Sequence, residues 1–159
     1  MMSFIQNLSG LKSQWTRWQQ EPTPRRLDLL NKCLQQTASF LRNETSNLSI
    51  EKLLEIEIAE TWWNNFSSGT QFNKNHSARP TGIITVVIEP QTPFFVIWNV
   101  VAKALLAGNA INVFCYDSTE SRGLTQILEV FSKNCGEFPL RIYHGSNDFL
   151  TLVVNHPSV

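Results

Sequence analysis

The stretch GIITVVIEPQTPFFVIWNVVAKALLAGNAINVFCY, residues 82–116, decides the fold. Residues 82–88 form a β-branched run without polar alternation, which is typical of a strand buried on both faces of a parallel sheet. Two prolines end that run, and residues 94–107 are apolar nearly all round, as in a buried helix. Gly108 stands where a left-handed residue ends a helix, and a second strand follows over residues 110–116. Strand, helix and strand in this order predict a βαβ unit with a right-handed crossover.

The residues after this unit extend the same alternation. Apolar side chains at helical spacing predict an amphipathic helix over residues 118–133. The pentapeptide LRIYH, residues 140–144, predicts a third strand, and a short helix is expected near the end of the chain. Short connections between strands and helices indicate three parallel strands, which is half of a doubly wound sheet.

The residues before the unit are predicted to be helical. A short helix is expected before residue 22, and apolar residues at helical spacing predict helices over 23–43 and 49–63. The sequence therefore predicts an α/β fold: a partial Rossmann-like parallel sheet, with about three strands in βαβ order, preceded by two N-terminal helices. We expect an N-terminal helical segment (1–78) and a partial cofactor-type subdomain (79–159) that together form one compact unit.

Charge and hydropathy exclude two classes of function. Lys plus Arg number 13 and Asp plus Glu number 13, so the net charge is zero, whereas a nucleic-acid-binding domain needs a Lys/Arg-rich face. Residues 82–115 are rich in apolar side chains, but Glu89, Pro90, Asn99 and Lys103 interrupt them. No apolar run of the length that spans a bilayer remains, so we expect no membrane span.

The N-terminus and the cysteines predict the compartment. The first fifteen residues have no basic region followed by an apolar run and a cleavage site, which argues against a secretory signal. Cys33, Cys115 and Cys135 form an odd, widely spaced set without a C-x-x-C pair. This pattern favours buried, reduced thiols in an intracellular, cytoplasmic protein and argues against a metal site.

Four segments, taken in order, carry a resemblance to a known family. A tryptophan and an arginine-led helix lie within residues 15–41, and RPTGIITVVIEP follows at 79–90. KALLAGNA occupies residues 103–110, and NHPSV occupies 155–159. In order and spacing these segments resemble the N-terminal part of an aldehyde dehydrogenase. The resemblance implies the NAD(P)-binding domain of that family in a divergent and truncated form.

The resemblance also identifies positions at which the family holds its cofactor and substrate. After the first strand the family has Pro-Trp-Asn, whose asparagine amide stabilises the oxyanion; this chain has Pro90 and Thr92, and threonine has the shorter reach. After the second strand the family has a lysine and, three residues later, a glutamate that bind ribose; this chain has Phe114 and Asp117. Pro90, Thr92 and Asp117 are thus the candidate cofactor-binding residues, as vestiges, and Asp117 has the alternative role of a helix N-cap. The cofactor would be NAD(P) if the family site survives, and otherwise none is expected.

No residue of the chain is predicted to be catalytic. The resemblance implies that Val159 precedes the family's glycine turn, its glutamate base and its cysteine nucleophile. Cys135 is predicted at a helix C-terminus, where the dipole disfavours a thiolate, and Cys115 within an apolar strand. We therefore expect an aldehyde-dehydrogenase-like pseudoenzyme without dehydrogenase activity.

Three functional hypotheses remain open at this point. The first is association with a second copy or with a longer aldehyde-dehydrogenase-like chain, favoured by the low charge content and by the apolar helix at 94–107. The second is a fragment or short isoform of an NAD(P)-dependent oxidoreductase acting on an aldehyde or oxo group. The third is a nucleotide-binding module. For the first, the alternative is that the helices at 23–43 and 49–63 cover the apolar surface and leave a monomer.

Overall fold

The computed structural model of the chain describes residues 2–43, 48–68, 80–116 and 122–145. Within these ranges there are five helices and three strands: three helices come first, and strands and helices then alternate as predicted. Their bounds are α1 Met2–Gln20, α2 Thr23–Asn43, α3 Ile50–Ser68, β1 Ile83–Ile88, α4 Phe94–Leu106, β2 Ala110–Tyr116, α5 Arg122–Asn134 and β3 Leu140–Gly145. None of the described helices is long and apolar enough to cross a membrane.

The three described strands form one parallel sheet in the order β1-β2-β3. The register places Val87 of β1 opposite Phe114 of β2, and Phe114 opposite Tyr143 of β3. Successive parallel strands joined through a helix confirm the predicted βαβαβ arrangement and the α/β class. The segment before residue 22 forms a 19-residue helix, α1, so three described helices precede the sheet.

The two faces of the sheet are covered by different helices. Side chains alternate along a strand, and Ile111, Val113 and Cys115 of β2 face the main core, which also contains residues of α2, α3, α4 and α5. Phe114 points the other way and packs with Leu8 of α1 in a second, smaller cluster. The sheet therefore has Leu8 of α1 on one face and helices α2, α3, α4 and α5 on the other, and Trp18 near the end of α1 joins the main core.

The prediction that the first strand is buried on both faces is wrong. β2 is buried at every position except its last, whereas β1 is mostly half-buried and the side chain of Val87 is 47% exposed. The reason is position in the sheet, because β2 has a strand on each side and β1 has one described neighbour. A β-branched run without alternation indicates a strand of a parallel sheet, but does not distinguish a central strand from an edge strand.

Aromatic side chains join the helical layer to the βαβ part. Trp63 of α3 meets Trp98 of α4 edge to face with ring centroids 5.6 Å apart, and Trp98 meets Phe131 of α5 at 5.5 Å. α3 runs five residues beyond its predicted end at residue 63, and Phe66 in this extension contacts Trp63 and lies under the ammonium group of Lys103. Edge-to-face geometry adds about 0.5–1.5 kcal/mol per pair beyond the area buried.

The C-terminus of α4 is closed by a glycine turn and by two indoles from α1. Gly108 has φ +91°, as predicted for the residue that ends the helix, and its N–H and that of Asn109 bond back to Leu105 and Ala104. Trp18 Nε1 donates to the carbonyl of Leu105 at 2.7 Å, and Trp15 Nε1 donates to that of Gly108 at 2.9 Å. Carbonyls at the end of α4 and in the turn after it thus receive side-chain donors from α1.

Asn109 connects that same helix end to the start of the first strand. Its side chain is buried, and Oδ1 accepts hydrogen bonds from the backbone N–H groups of Thr81 at 2.7 Å and Gly82 at 3.1 Å. Its Nδ2 donates to the carbonyl of Ala104 at 3.1 Å. The Gly-Asn pair in KALLAGNA therefore has a structural role, which is to fix β1 against the end of α4.

Candidate functional site

The candidate site is the carboxyl edge of the sheet, which we define as the ends of β1 and β2 together with the N-terminus of α4. Ligands of open α/β sheets bind at this edge. The structure brings two of the three predicted residues together here: Pro90 and Thr92 are half-buried in the turn after β1, where the Thr92 N–H donates to the carbonyl of Glu89 at 3.0 Å. Asp117 lies outside the described residues, so its two predicted roles stay open.

The N-terminus of α4 is capped by a residue from another helix. Pro93 occupies the cap position with φ −65° and ψ 144° and provides no side-chain hydrogen bond. Instead, Glu55 of α3 accepts a hydrogen bond at Oε2 from the backbone N–H of Phe94, at 3.0 Å. A helix N-terminus favours an anion because its N–H groups are unpaired and its dipole is positive there. At this helix the chain's own carboxylate supplies that negative charge.

Lys52 holds the Glu55 carboxylate in place. Lys52 Nζ lies 3.0 Å from Oε1 and 3.3 Å from Oε2 of Glu55, and the two side chains are only 21% and 17% exposed. The stem of Lys52 also passes the first turn of α5, because a Cβ placed on Gly123 would lie 3.0 Å from Lys52 Cγ. The ion pair therefore fills the space between the N-terminal turns of α4 and α5, which is where a doubly wound fold exposes its anion-binding N–H groups.

The position that corresponds to the family's lysine is buried and aromatic. Phe114 is stacked on Tyr143 of β3 with ring centroids 5.0 Å apart and planes at 13°, and both pack with Leu8 of α1. Burial raises the pKa of Tyr143, while the positive charge of Arg141 lowers it in part. The Phe114 ring has no hydrogen-bond donor, so it cannot make the contact to a ribose hydroxyl that the resemblance assigns to this position.

A buried amide lies deeper on the same face of the sheet. Asn112 of β2 is fully buried, and neither its Nδ2 nor its Oδ1 has a hydrogen-bond partner among the described residues. Its strand neighbours in the register are Thr85 and Arg141. An unpaired buried amide costs about 1–3 kcal/mol, and sequence reasoning did not single it out because a strand asparagine carries no signal of its depth.

The cysteines are buried, as predicted, and none lies at the carboxyl edge as an activated nucleophile. Burial raises the pKa of the Cys135 thiol well above its ordinary value, and the neighbouring Cys33 raises it further. Cys135 directly follows α5, at the unfavourable end of the helix for a thiolate. Cys115 is buried in β2. Within the described ranges, no three His, Cys, Asp or Glu side chains cluster in a way that holds a metal ion.

The tryptophans of the described residues pack between helices, with one exception. Trp18, Trp63 and Trp98 are buried, and Trp15 donates its indole hydrogen bond to α4. The exception is Trp62, which is 49% exposed although its ring meets that of Phe95 at 4.9 Å.

Sequence reasoning missed the pair Lys52 and Glu55 as residues of this site. The ion pair itself is visible in the sequence as a Lys and a Glu three residues apart on one helix. Its contact with the N–H of Phe94 spans 39 positions. Only the packing of α3 beside α4 brings these groups together, and no local pattern reports that packing.

Comparisons with known proteins bear on the fold. No protein-family model matches the chain, and no curated protein matches it. Among solved structures, a NAD-dependent benzaldehyde dehydrogenase from Corynebacterium glutamicum is similar with a TM-score of 0.64 at 16% identity, over 91% of this chain and 36% of that one. A salicylaldehyde dehydrogenase from Pseudomonas putida G7 gives 0.70 at 14% identity, over 99% and 38%. An NADP-dependent glyceraldehyde-3-phosphate dehydrogenase from Bacillus halodurans C-125 gives 0.64 at 18% identity, over 96% and 38%.

These similarities confirm the predicted resemblance at the level of fold. The chain has the fold of part of an aldehyde dehydrogenase, and it spans between 36% and 38% of the length of these three solved chains. Identities of 14–18% carry no information on activity or substrate.

Proposed function

We propose that this chain, whose fold is that of part of an aldehyde dehydrogenase, is a non-catalytic module that acts by associating with a second copy of itself. The claim that the chain is non-catalytic rests on the hydrogen bond from the Phe94 N–H to Glu55. A dinucleotide phosphate brought to this helix end would meet a carboxylate instead of free N–H groups. Like charges at hydrogen-bond distance repel, so the pair of Glu55 and Lys52 closes the position against an anion.

The aromatic replacement on β2 supports the same conclusion. Phe114 is buried between Tyr143 and α1, so an adenine-side ribose would find neither a donor nor an open surface at that position. The helix end that would bind phosphate is occupied by Glu55, and the position that would bind ribose is occupied by Phe114. We therefore infer that Pro90 and Thr92 are left as vestiges of a cofactor site. NAD(P) is not a resident cofactor of the chain in this proposal.

An apolar row on α3 supports the proposed association with a second copy. Leu54 and Trp62 are each about half exposed, and together with the half-buried Ile58 they line a groove of about 310 Å³. These residues are four apart, so they follow one another along the outer face of the helix. Exposed apolar rows that contain a tryptophan and a groove are typical of protein interfaces, in which aromatic anchors carry most of the binding energy.

A second copy is the partner that this surface fits. A two-fold interface requires one self-complementary patch. The half-exposed Trp62 ring projects at one end of the groove on α3, so the ring of each copy can enter the groove of the other. Val96 and Val100 of α4 are also exposed and enlarge the apolar area beyond the Trp62–Phe95 contact. The chain is expected to act inside the cell, where thiols such as Cys33 and Cys135 stay reduced.

The association is tested by light scattering coupled to size exclusion over a range of concentrations. Wild type is expected to form a dimer. Trp62→Arg is expected to raise the dimer dissociation constant at least tenfold, which corresponds to about 1.4 kcal/mol. Phe40→Arg is the matched control, because Phe40 is exposed to the same degree but lies on α2. A monomer at every concentration, or equal effects of both substitutions, would contradict the self-association. If the chain formed a dimer only with a longer aldehyde-dehydrogenase-like chain, that longer chain would be the partner in place of a second copy.

The proposal that the chain binds no dinucleotide cofactor is tested by titration calorimetry with NAD, NADP and AMP. No heat of binding is expected at micromolar concentrations. A micromolar dissociation constant, about −8 kcal/mol, would overturn the proposal.

That outcome would favour the second candidate function, an NAD(P)-dependent oxidoreductase in which this chain provides part of the fold. The ground for this candidate is analogy of fold alone: one similar solved chain is an NAD-dependent benzaldehyde dehydrogenase, and another is a dehydrogenase complexed with NADP. Reduction of NAD or NADP by the chain with an aldehyde substrate, above the uncatalysed rate, would establish it.

A further inference from the structure

Two thiols that are far apart in sequence meet in the core. The Sγ atoms of Cys33 on α2 and Cys135 after α5 are 3.2 Å apart across 102 positions of sequence. Both side chains are almost fully buried, with exposures of 2% and 5%. A disulfide requires Sγ atoms about 2.05 Å apart, so the two sulfurs must approach each other by about 1.2 Å for a bond to form.

A hydrogen bond beside the pair keeps the two elements in this position. Asn134, which precedes Cys135, donates through Nδ2 to Thr37 Oγ1 at 3.2 Å, and Thr37 lies one helical turn after Cys33. The same Nδ2 donates to the carbonyl of Val130 at 3.1 Å, and the Thr37 side chain is fully buried. The thiols are therefore held together by the packing of α2 against α5 and do not meet by chance rotation of exposed side chains.

We propose that Cys33 and Cys135 are a modification site at which a peroxide forms a reversible disulfide, linking the helical layer covalently to the βαβ part. In the first step the Cys135 thiolate attacks one oxygen of hydrogen peroxide. The O–O bond breaks, and one oxygen leaves as hydroxide, which takes up the proton that Cys135 released on forming the thiolate and becomes water. Cys135 is then a sulfenic acid.

In the second step the Cys33 sulfur attacks the Cys135 sulfur. The S–O bond breaks, the S–S bond forms, and the departing hydroxide takes the Cys33 proton and leaves as a second water. In total, two thiols are oxidised, one peroxide is reduced to two waters, and a dithiol such as dithiothreitol reverses the change by exchange. Cys135 is the more exposed of the two thiols, at 5% against 2% for Cys33, so it is the one that peroxide is expected to meet first.

The burial of the pair determines how fast this reaction proceeds. A thiol that is disfavoured as a thiolate reacts slowly, so the pair is expected to stay reduced under mild conditions and to be oxidised only under sustained peroxide. Once Cys135 is a sulfenic acid, a resolving thiol at 3.2 Å captures it before further oxidation.

The test is peroxide treatment of the full chain, followed by intact mass and peptide mapping under non-reducing conditions. Wild type is expected to lose two hydrogen atoms, to yield a linked peptide pair containing Cys33 and Cys135, and to regain its mass with dithiothreitol. Because a loop of this length is closed, the melting temperature should rise on the order of 10 °C. Cys115→Ser is the matched control, and it should behave like wild type.

The cysteine variants separate the proposal from nonspecific oxidation. Cys33→Ser and Cys135→Ser should each abolish the linked peptide, and Cys33→Ser should instead accumulate oxygen on Cys135. Since replacing a buried thiol can by itself impair folding, differential alkylation of the oxidised wild type gives a second measurement that needs no substitution. Oxygen on Cys135 without a link in wild type, or a link that involves Cys115, would overturn the proposal.

Discussion

Replacing Glu55 is the most direct test of how α4 is held in place. Its Oε2 is the acceptor for the Phe94 N–H at 3.0 Å, and its carboxylate neutralises Lys52 at 3.0 Å. In Glu55→Ala the Phe94 N–H and the Lys52 ammonium group both lose their partner. In Glu55→Gln an acceptor remains for Phe94, but the charge is gone. The two variants therefore separate the hydrogen bond from the electrostatic contribution.

The magnitude follows from these contacts. Loss of an N-terminal cap costs about 1 kcal/mol, and loss of negative charge at a helix N-terminus costs about 0.3–1 kcal/mol. Lys52 and Glu55 are 21% and 17% exposed, so the ion pair is worth more than a surface pair but is partly screened. We expect Glu55→Ala to lower the free energy of unfolding by about 2 kcal/mol and Glu55→Gln by about 1 kcal/mol.

The assay is urea denaturation followed by far-UV circular dichroism, with thermal melts as a second measurement. For a chain of 159 residues, a loss of about 2 kcal/mol corresponds to a fall of about 4–8 °C in melting temperature. Glu57→Gln provides the matched control, because Glu57 is an exposed carboxylate on the same helix and its substitution should change stability by less than about 0.5 kcal/mol.

One result would refute this reasoning. If Glu55→Ala and Glu57→Gln were equally stable, the contact with Phe94 would have no energetic role. A double-mutant cycle with Lys52→Met adds a further check, because a coupling energy near zero would remove the ion pair from the explanation.

Three further predictions concern other parts of the chain. Gly108→Ala should lower the free energy of unfolding by about 1–2 kcal/mol because Gly108 has φ +91°, while Gly136→Ala, with open space around its Cα, should be nearly neutral in the same urea titration. Asn112→Leu should raise stability by about 1 kcal/mol because it removes a buried amide without a described partner; a loss of stability would reveal a partner for that amide. The raised pKa of Cys135 favours the folded state below the ordinary thiol pKa of 9.0, so stability should fall as the pH rises past that value, and Cys135→Ser should flatten the fall.

Local patterns were sufficient to predict the elements that depend on neighbours in sequence. The helix stop at Gly108 was predicted because only glycine adopts its φ without strain, and the βαβ order followed from uniform apolar runs separated by prolines. The prediction for β1 was wrong because burial of a strand depends on strand order in space, which its own residues do not encode. Val87 is exposed at an edge for that reason.

The contacts that sequence reasoning did not find join segments that are distant in sequence. Glu55 reaches Phe94 across 39 positions, and Cys33 reaches Cys135 across 102. Neither partner has a distinctive neighbourhood, since a glutamate on a helix and a cysteine on an apolar face are both ordinary. The replacement at Phe114 was found because the resemblance specified a lysine there, and the structure adds that the ring is buried against Tyr143.

The two indole contacts of α1 have a consequence for synthesis on the ribosome. Trp18 and Trp15 bond to carbonyls 87 and 93 positions later in the chain, so their acceptors do not exist while α1, α2 and α3 emerge. At about 5–20 residues per second, the nascent helices wait on the order of 5–20 s before α4 leaves the exit tunnel. During that interval Trp18 and the apolar side chains that later meet α4 are uncovered, so we expect the half-made chain to bind chaperones and its yield in the cell to depend on the speed of translation.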